Sequence, residues 1–178
     1  MIRPVTGRGS VRWARLVVYL LLLLLAQGLL ARLSDAVGVP TPDLFLLTAV
    51  GLAARLSPVS ALLAAYGLGF MQDVLGGGTL GLHAAGLAGA ALLVVWARRY
   101  LSDAGLVQAL LGVLLGVAGQ WLVFLFLTYW LREPLVTPQM LAVTPPLVFV
   151  GTFLLFPLWE RLLAWTFGPR VTVEEQLA

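Results

Sequence analysis

Two residues of this chain are well suited to chemistry: Asp73, an acid that ends an apolar segment, and His83, the only histidine in the sequence. A carboxylate and an imidazole can share a hydrogen bond or pass a proton. The glycines at positions 76–78 predict a turn between them. We therefore expect Asp73 to bind backbone amides of residues 76–80 and of the next helix, or to bond to His83 and join two helix ends. A contact with a partner or a ligand is the third possibility.

Catalysis would require companions that the sequence does not supply for Asp73. A membrane aspartyl protease needs two facing carboxylates. The other candidate acids lie in a loop, after a proline or on the opposite side of the membrane, namely Asp35, Asp43 and Asp103. The serines lie at or near predicted loops without an activating base, and one histidine with no cysteine cannot make a zinc site. We therefore expect no enzyme, no metal site and no cofactor.

The composition places these residues in a membrane protein. The 178 residues are 61% hydrophobic and 11% charged, and their mean hydropathy of +0.99 is too high for a soluble domain. The net charge of +3 is scattered along the chain, so it offers no clustered basic face for nucleic acid. The sequence therefore predicts a single transmembrane domain over residues 1–178, in contact with membrane lipids.

Six apolar segments predict an all-α integral membrane protein with six transmembrane helices. Their approximate limits are 14–33, 43–56, 58–75, 80–100, 105–131 and 139–165. The first resembles a signal peptide, but its apolar run continues past the small residues at 26–28, so we interpret it as an uncleaved anchor. Pro42 and Asp43 are typical of a helix N-terminus. The second segment is short, so it can cross a membrane only where protein rather than lipid covers its ends.

The arginines favour six spans over an alternative with five, in which one kinked helix would cover residues 44–72. With six spans, nine of the eleven arginines lie on the side of the N-terminus and two lie on the other side. With five spans, Arg55 would lie in lipid and the other ten would divide equally between the two sides. Since arginine is enriched on the cytoplasmic side of membrane proteins, we expect six spans with both termini in the cytoplasm.

Small residues at intervals of four predict close contacts between helices. They lie in the fourth and fifth segments, at Ala85, Gly89, Gly112, Gly116 and Gly119. Packing within the chain is the more common use of this pattern, and an interface with another membrane protein is the alternative.

Several short motifs lie between residues 42 and 84. They are Pro42-Asp43-Leu44-Phe45-Leu46-Leu47, Arg55, Pro58, Gly67-Leu68-Gly69-Phe70, Asp73-Val74-Leu75-Gly76-Gly77 and Leu80-Gly81-Leu82-His83-Ala84. In order and spacing they resemble the MreD family of rod shape-determining membrane proteins. The residues that this resemblance marks as a partner-binding or structural motif are Pro42, Asp43, Gly69, Asp73, Gly77, Gly81 and His83.

The resemblance implies a non-catalytic scaffold of the bacterial cell-elongation complex, which builds peptidoglycan and sets the rod shape of the cell. Such a protein lies in the cytoplasmic (inner) membrane and binds the single-span protein MreC. Through MreC it connects to MreB, to RodA and to a class B penicillin-binding protein. We expect it to bind its partner's helix through a face of small residues.

A transporter component is the alternative function, because the MreD family is similar in fold to the substrate-binding component of energy-coupling-factor transporters. A component of that kind would enclose a small molecule near its outer face. Its first helix usually has alanines four apart, which dock on the coupling subunit. In this chain Ala14, Ala26 and Ala31 make no such pair, which disfavours the transporter.

Overall fold

The apolar segments of the sequence form a bundle of α-helices. The computed structural model describes residues 7–76, 79–98, 100, 105–132 and 136–170, with side chains from Trp13 in the first helix and Val107 in the fifth. The helices in these ranges are α1 (Gly7–Val37), α2 (Leu44–Ala53), α3 (Pro58–Gly76), α4 (Leu82–Ala97), α5 (Gly105–Leu131) and α6 (Pro138–Phe167).

Four of these helices are long and apolar enough to cross a membrane. The qualifying ranges are Trp13–Val37 in α1, Pro58–Gly76, Val107–Leu131 in α5 and Pro138–Phe167. The chain is therefore a multi-pass, all-α membrane protein in its described part. The prediction of six spans exceeds this finding by two, because α2 has 10 residues and α4 has 16. At 1.5 Å per residue they extend about 15 and 24 Å, less than the roughly 30 Å of a hydrocarbon core.

Protein rather than lipid surrounds the short helix α2. All ten of its residues are buried, and α2 contacts each of the other five helices. A helix that is apolar on every side is expected at the centre of a membrane bundle, because no side of it prefers water. The sequence requires this shielding of so short a helix, and the structure supplies it.

The hydroxyl group of Thr48 joins three helices at the centre of the bundle. Its Oγ1 donates to the Leu44 carbonyl at 2.7 Å and accepts a hydrogen bond from Trp159 Nε1 at 3.0 Å. The Tyr19 hydroxyl lies 2.7 Å from the same oxygen. Since Thr48 has one proton and donates it to Leu44, Tyr19 is the donor in this last contact. The buried polar groups of α1, α2 and α6 thus satisfy one another.

Two arginines satisfy the backbone carbonyls at the C-terminal end of α2. Arg55 Nη1 donates to the Gly51 carbonyl at 2.9 Å. Arg98, which follows α4, donates through Nη1 to the carbonyls of Ala53 at 3.0 Å and Leu56 at 2.9 Å. Burial lowers the pKa of the Arg98 guanidinium below its ordinary value. The last carbonyls of a helix have no partner within it, so these guanidinium groups replace the water that would solvate them at an exposed helix end.

A charged cluster fixes this same end of α2 to α6. Arg55 Nη2 forms an ion pair with Glu160, and Arg55 Nε donates to the Gly168 carbonyl at 3.0 Å. Arg170 Nε reaches the same Glu160 oxygen at 3.0 Å, while its Nη1 donates to Gln108 of α5 at 3.3 Å. Only the Arg55 side chain is fully buried, so removing Glu160 would destabilise the bundle by leaving that guanidinium without its counter-charge.

The described charged residues lie near the two ends of the bundle. We call one the aspartate end, since Asp43 begins α2 there and Asp73 ends α3. We call the other the arginine end, where α1 begins and α2, α4 and α6 finish; its described arginines are Arg15, Arg55, Arg98, Arg161 and Arg170. Positive charges thus predominate at the arginine end, although Glu160 lies within it, while the aspartate end holds Asp35, Asp43 and Asp73 together with Arg32 and Arg132.

Helices α4 and α5 approach each other closely where glycines meet. A methyl group on Gly119 would lie 2.7 Å from the Gly89 carbonyl oxygen and 2.9 Å from Ala90 Cα. Gly112 and Gly116 face Val50 of α2. These glycines therefore pack helices of this chain against one another, and the space beside them is not open to a partner.

The fifth small residue of this pattern is Ala85. It lies half-buried on α4, one turn before Gly89.

We expect Gly119→Ala to destabilise the bundle by about 1–3 kcal/mol, because the added methyl group would overlap the backbone of α4. Thermal unfolding of the detergent-solubilised protein measures the loss. Gly28→Ala is the matched control, since Gly28 also lies within a helix but has no atom within 4 Å of the added methyl group. The control should be neutral or slightly stabilising, by up to about 1 kcal/mol. Equal effects of the two changes would contradict a tight contact between α4 and α5.

Candidate functional site

Asp73 binds the start of α4 with both carboxylate oxygens. Oδ2 accepts hydrogen bonds from the backbone amides of Gly81 at 2.9 Å and Ala84 at 3.1 Å. Oδ1 accepts from the backbone amide of His83 at 2.9 Å and lies 2.8 Å from His83 Nδ1. The expected bonds to the start of the fourth helix and to the histidine are therefore present, but the described amides bonded to Asp73 are those of residues 81, 83 and 84 and not those of residues 76–80. Asp73 holds the end of α3 against the beginning of α4.

Local backbone geometry explains why α4 needs an acceptor from another helix. Gly81, which precedes α4, has φ +92° and no side chain that could cap the helix. The first amides of a helix have no acceptor within it, so Asp73 serves as the cap. Gly69 allows this contact, because a methyl group there would overlap the His83 carbonyl and lie 2.5 Å from Ala84 Cα. Gly77, predicted to belong to this motif, lies outside the described residues.

Asp43 caps α2 at the same end of the bundle. Its Oδ1 accepts a hydrogen bond from the Leu46 amide at 2.8 Å, which confirms the predicted helix N-terminus. Its Oδ2 accepts from Gln120 Nε2 of α5 at 3.1 Å. The backbone amide of Asp43 donates to Thr152 Oγ1 of α6 at 2.9 Å. One aspartate therefore links the start of α2 to α5 and α6.

Gln27 and Pro42 complete the frame around the start of α2. Gln27 Oε1 accepts a hydrogen bond from the Leu44 amide at 2.9 Å, and its Nε2 donates to the Pro42 carbonyl at 3.2 Å. The ring of Pro42 lies against α6, where a methyl group on Gly151 would approach its Cγ to 2.9 Å. Helix α1 is thereby attached to the same frame.

The uncharged polar members of this frame were not predicted from the sequence. The predicted residues were chiefly acids, glycines and the histidine, but Gln27, Gln72, Gln120 and Thr152 also lie here. An amide or hydroxyl group within an apolar span is the signal that identifies them, because hydrocarbon cannot satisfy such a group.

A cavity of about 190 Å³ lies at the aspartate end. Every helix or its flanking loop contributes to its wall, which consists of Gln27, Thr41, Asp43, Gln72, His83, Gln120, Trp121, Phe124 and Val148. Gln72 Oε1 is buried and has no hydrogen-bond partner in the described part of the protein. His83 packs edge-on against Phe124, with ring centroids 5.6 Å apart. The cavity thus combines hydrogen-bond acceptors with an aromatic wall.

The bonds of the two acids define what this site can do chemically. The Asp73 contact favours the histidine tautomer with its proton on Nδ1, which makes Nε2 an acceptor. Among the described residues, no three His, Cys, Asp or Glu side chains are grouped to hold a metal ion. Asp35 is exposed on α1, and Asp103 lies outside the described residues. The site is therefore a hydrogen-bonded frame with a small polar cavity.

No protein-family model, curated protein or solved structure matches this chain. The class of the protein accordingly rests on its own fold, an all-α multi-pass membrane bundle whose acids cap helices at one end.

We expect Asp73→Ala to destabilise the protein by about 2–3 kcal/mol, because it leaves the buried amide of Ala84 and the half-buried amides of Gly81 and His83 without an acceptor. Asp73→Asn should cost less, since its side chain keeps one carbonyl oxygen. Asp35→Asn is the control, as an exposed acid of the same charge. Unfolding temperatures in detergent give the order, and a stability of Asp73→Ala equal to that of the control would show that the cap is not needed.

Proposed function

We propose that this protein is a non-catalytic membrane scaffold of the bacterial cell-elongation complex, with an MreC-like single-span protein as its direct partner. Through that partner it connects indirectly to MreB, to RodA and to a class B penicillin-binding protein. The MreD-like motifs between residues 42 and 84 support this proposal. It needs neither a cofactor nor a metal.

The observation that carries the proposal is the use of the motif acids to cap helices. Asp43 and Asp73 accept hydrogen bonds from the first amides of α2 and α4, respectively. Each also bonds to a side chain, Gln120 or His83. Acids that cap helices stabilise the bundle, and a scaffold requires a stable surface to which other proteins can bind.

The proposed topology has six spans in the bacterial cytoplasmic membrane, with both termini in the cytoplasm. In this topology the four long helices each cross the whole membrane, and α2 and α4 count as shortened spans. Helix α2 has the cover that this requires, since all its residues are buried. The arginine end faces the cytoplasm under the positive-inside rule, which places the aspartate end and its cavity toward the outside.

The partner's helix requires a face that this chain does not use for itself. Internal packing occupies the described glycines of α4 and α5, but Gly67 of α3 and Gly28 of α1 each have open space around them. Both glycines are exposed, and α1 and α3 make no contact with each other in the described ranges, so each helix keeps an outward side. We propose the face of α3 around Gly67, because it lies within the MreD-like segment and a glycine permits close approach of helices.

The scaffold is tested by purifying the tagged protein in mild detergent from its own host membranes. Mass spectrometry should identify a single-span MreC-like protein in stoichiometric amount, with or without the glycosyltransferase pair. Its absence would contradict the scaffold. Recovery of a coupling subunit with paired ATPases would instead support the transporter.

The interface is tested by Gly67→Leu, which should reduce the recovered partner by about tenfold or more, a loss of roughly 1.4 kcal/mol. Gly28→Leu is the matched control, because both glycines are exposed within helices and have open space around them. Unfolding temperatures verify that both variants are folded. Partner loss with the control alone would move the interface to α1, while leaving the scaffold itself intact.

One observation favours the alternative, a substrate-binding component of an energy-coupling-factor-type transporter. The cavity of about 190 Å³ at the aspartate end has polar walls that include the unpaired, buried Gln72 Oε1. A small molecule with hydrogen-bond donors suits this oxygen and the neighbouring carboxylate of Asp43. The same mass-spectrometry experiment distinguishes the two functions, since a transporter component would retain a small molecule or a coupling subunit.

A further inference from the structure

A groove separates the beginning of α1 from the end of α6 at the arginine end of the bundle. Its volume is about 540 Å³, within the range of ligand-binding clefts. We call it the α1–α6 groove, and it is lined by Trp13, Arg15 and Leu16 of α1 with Ala164, Trp165, Thr166, Phe167 and Gly168 at the end of α6. It lies far along the bundle from the frame of Asp43 and Asp73, so the proposed scaffold function does not involve it.

The charge of the groove is positive. Arg15 is exposed, and its guanidinium lies over the ring of Trp165, 5.5 Å from the ring centroid. No acidic residue lines the groove in the described part of the chain. Glu160, an acid on the same helix, is already paired with Arg55 and Arg170. The groove therefore attracts anions.

The aromatic residues of the groove match the depth of lipid headgroups. The side chains of Trp13 and Trp165 are 69% and 46% exposed at the ends of two membrane-spanning helices. Indole rings concentrate at this level, because they combine a large apolar surface with one N–H donor. Leu16 and Phe167 add apolar surface beside them. A ligand of this groove therefore combines an anionic group with an apolar part.

We propose that the α1–α6 groove binds one anionic phospholipid. Arg15 contacts the headgroup phosphate, while Trp13 and Trp165 flank the glycerol region and the acyl chains follow the apolar flanks of α1 and α6. The stacking of Arg15 on Trp165 holds the guanidinium at the groove rather than in water. In the proposed topology the arginine end faces the cytoplasm, and basic pockets between helices on that side are typical places for such lipids.

Native mass spectrometry of the full-length protein in mild detergent, titrated with phosphatidylglycerol, tests this site. We expect one molecule to bind preferentially, and phosphatidylcholine of the same chain length to bind at least several-fold more weakly. Arg15→Gln should weaken phosphatidylglycerol binding about fivefold, the equivalent of roughly 1 kcal/mol for one basic residue at the membrane surface. Trp165→Leu should also weaken phosphatidylglycerol binding without changing the net charge, because Arg15 loses the ring on which its guanidinium stacks.

Arg161→Gln is the matched control for charge. Arg161 is exposed on the same helix and at the same end, but it does not line the groove. We expect less than a twofold effect, and unfolding temperatures verify that each variant is folded. Equal losses in Arg15→Gln and Arg161→Gln would overturn the site and indicate general charge attraction. Equal binding of phosphatidylglycerol and phosphatidylcholine would also overturn it.

Discussion

When a helix ends within the hydrocarbon region, its last backbone amides or carbonyls must bond to other groups of the protein. The short helix α2 meets this constraint at both ends. At its start, Asp43 and Gln27 accept hydrogen bonds from the amides of Leu46 and Leu44. At its finish, two arginines donate to its carbonyls. A long helix can leave these groups to water and headgroups, but ten residues cannot reach both surfaces.

The remaining helices are arranged to meet this demand. Helices α1, α5 and α6 bring Gln27, Gln120 and Thr152 to the start of α2, and Arg98 approaches its finish from α4. Close packing of α4 on α5 depends on glycine at the points of contact. Helix α4 is itself short, and its first amides donate hydrogen bonds to the carboxylate of Asp73 at the end of α3. The same requirement thus explains both aspartates that the sequence brings to attention.

This use of polar groups bears on function, because the buried polar side chains in the described part of the chain bond mainly to groups inside the bundle. What the protein presents to its surroundings is chiefly an apolar surface, such as the outward face of α3, and a few specific features. These are a small polar cavity at the aspartate end and the α1–α6 groove at the arginine end. These surfaces are where we propose that the protein binds a partner helix, a lipid or a small polar molecule.

The sequence by itself determined the membrane class, the positions of the helices and the capping role of Asp43. These are local properties, because hydrophobicity, length and the residues at a helix start act within one segment. The bond between Asp73 and His83 was also foreseeable, since a short turn connects the two helix ends that carry them.

Tertiary structure alone decided which helix lies at the centre of the bundle and which side chains cover it. It also decided that Gly89 and Gly119 contact each other rather than a partner, and that Glu160 pairs with Arg55 over 105 positions of sequence. The physical reason is that lipid and the protein interior are equally apolar. Hydrophobicity therefore cannot indicate which face of a membrane helix meets another helix, and only packing and the pairing of polar groups can.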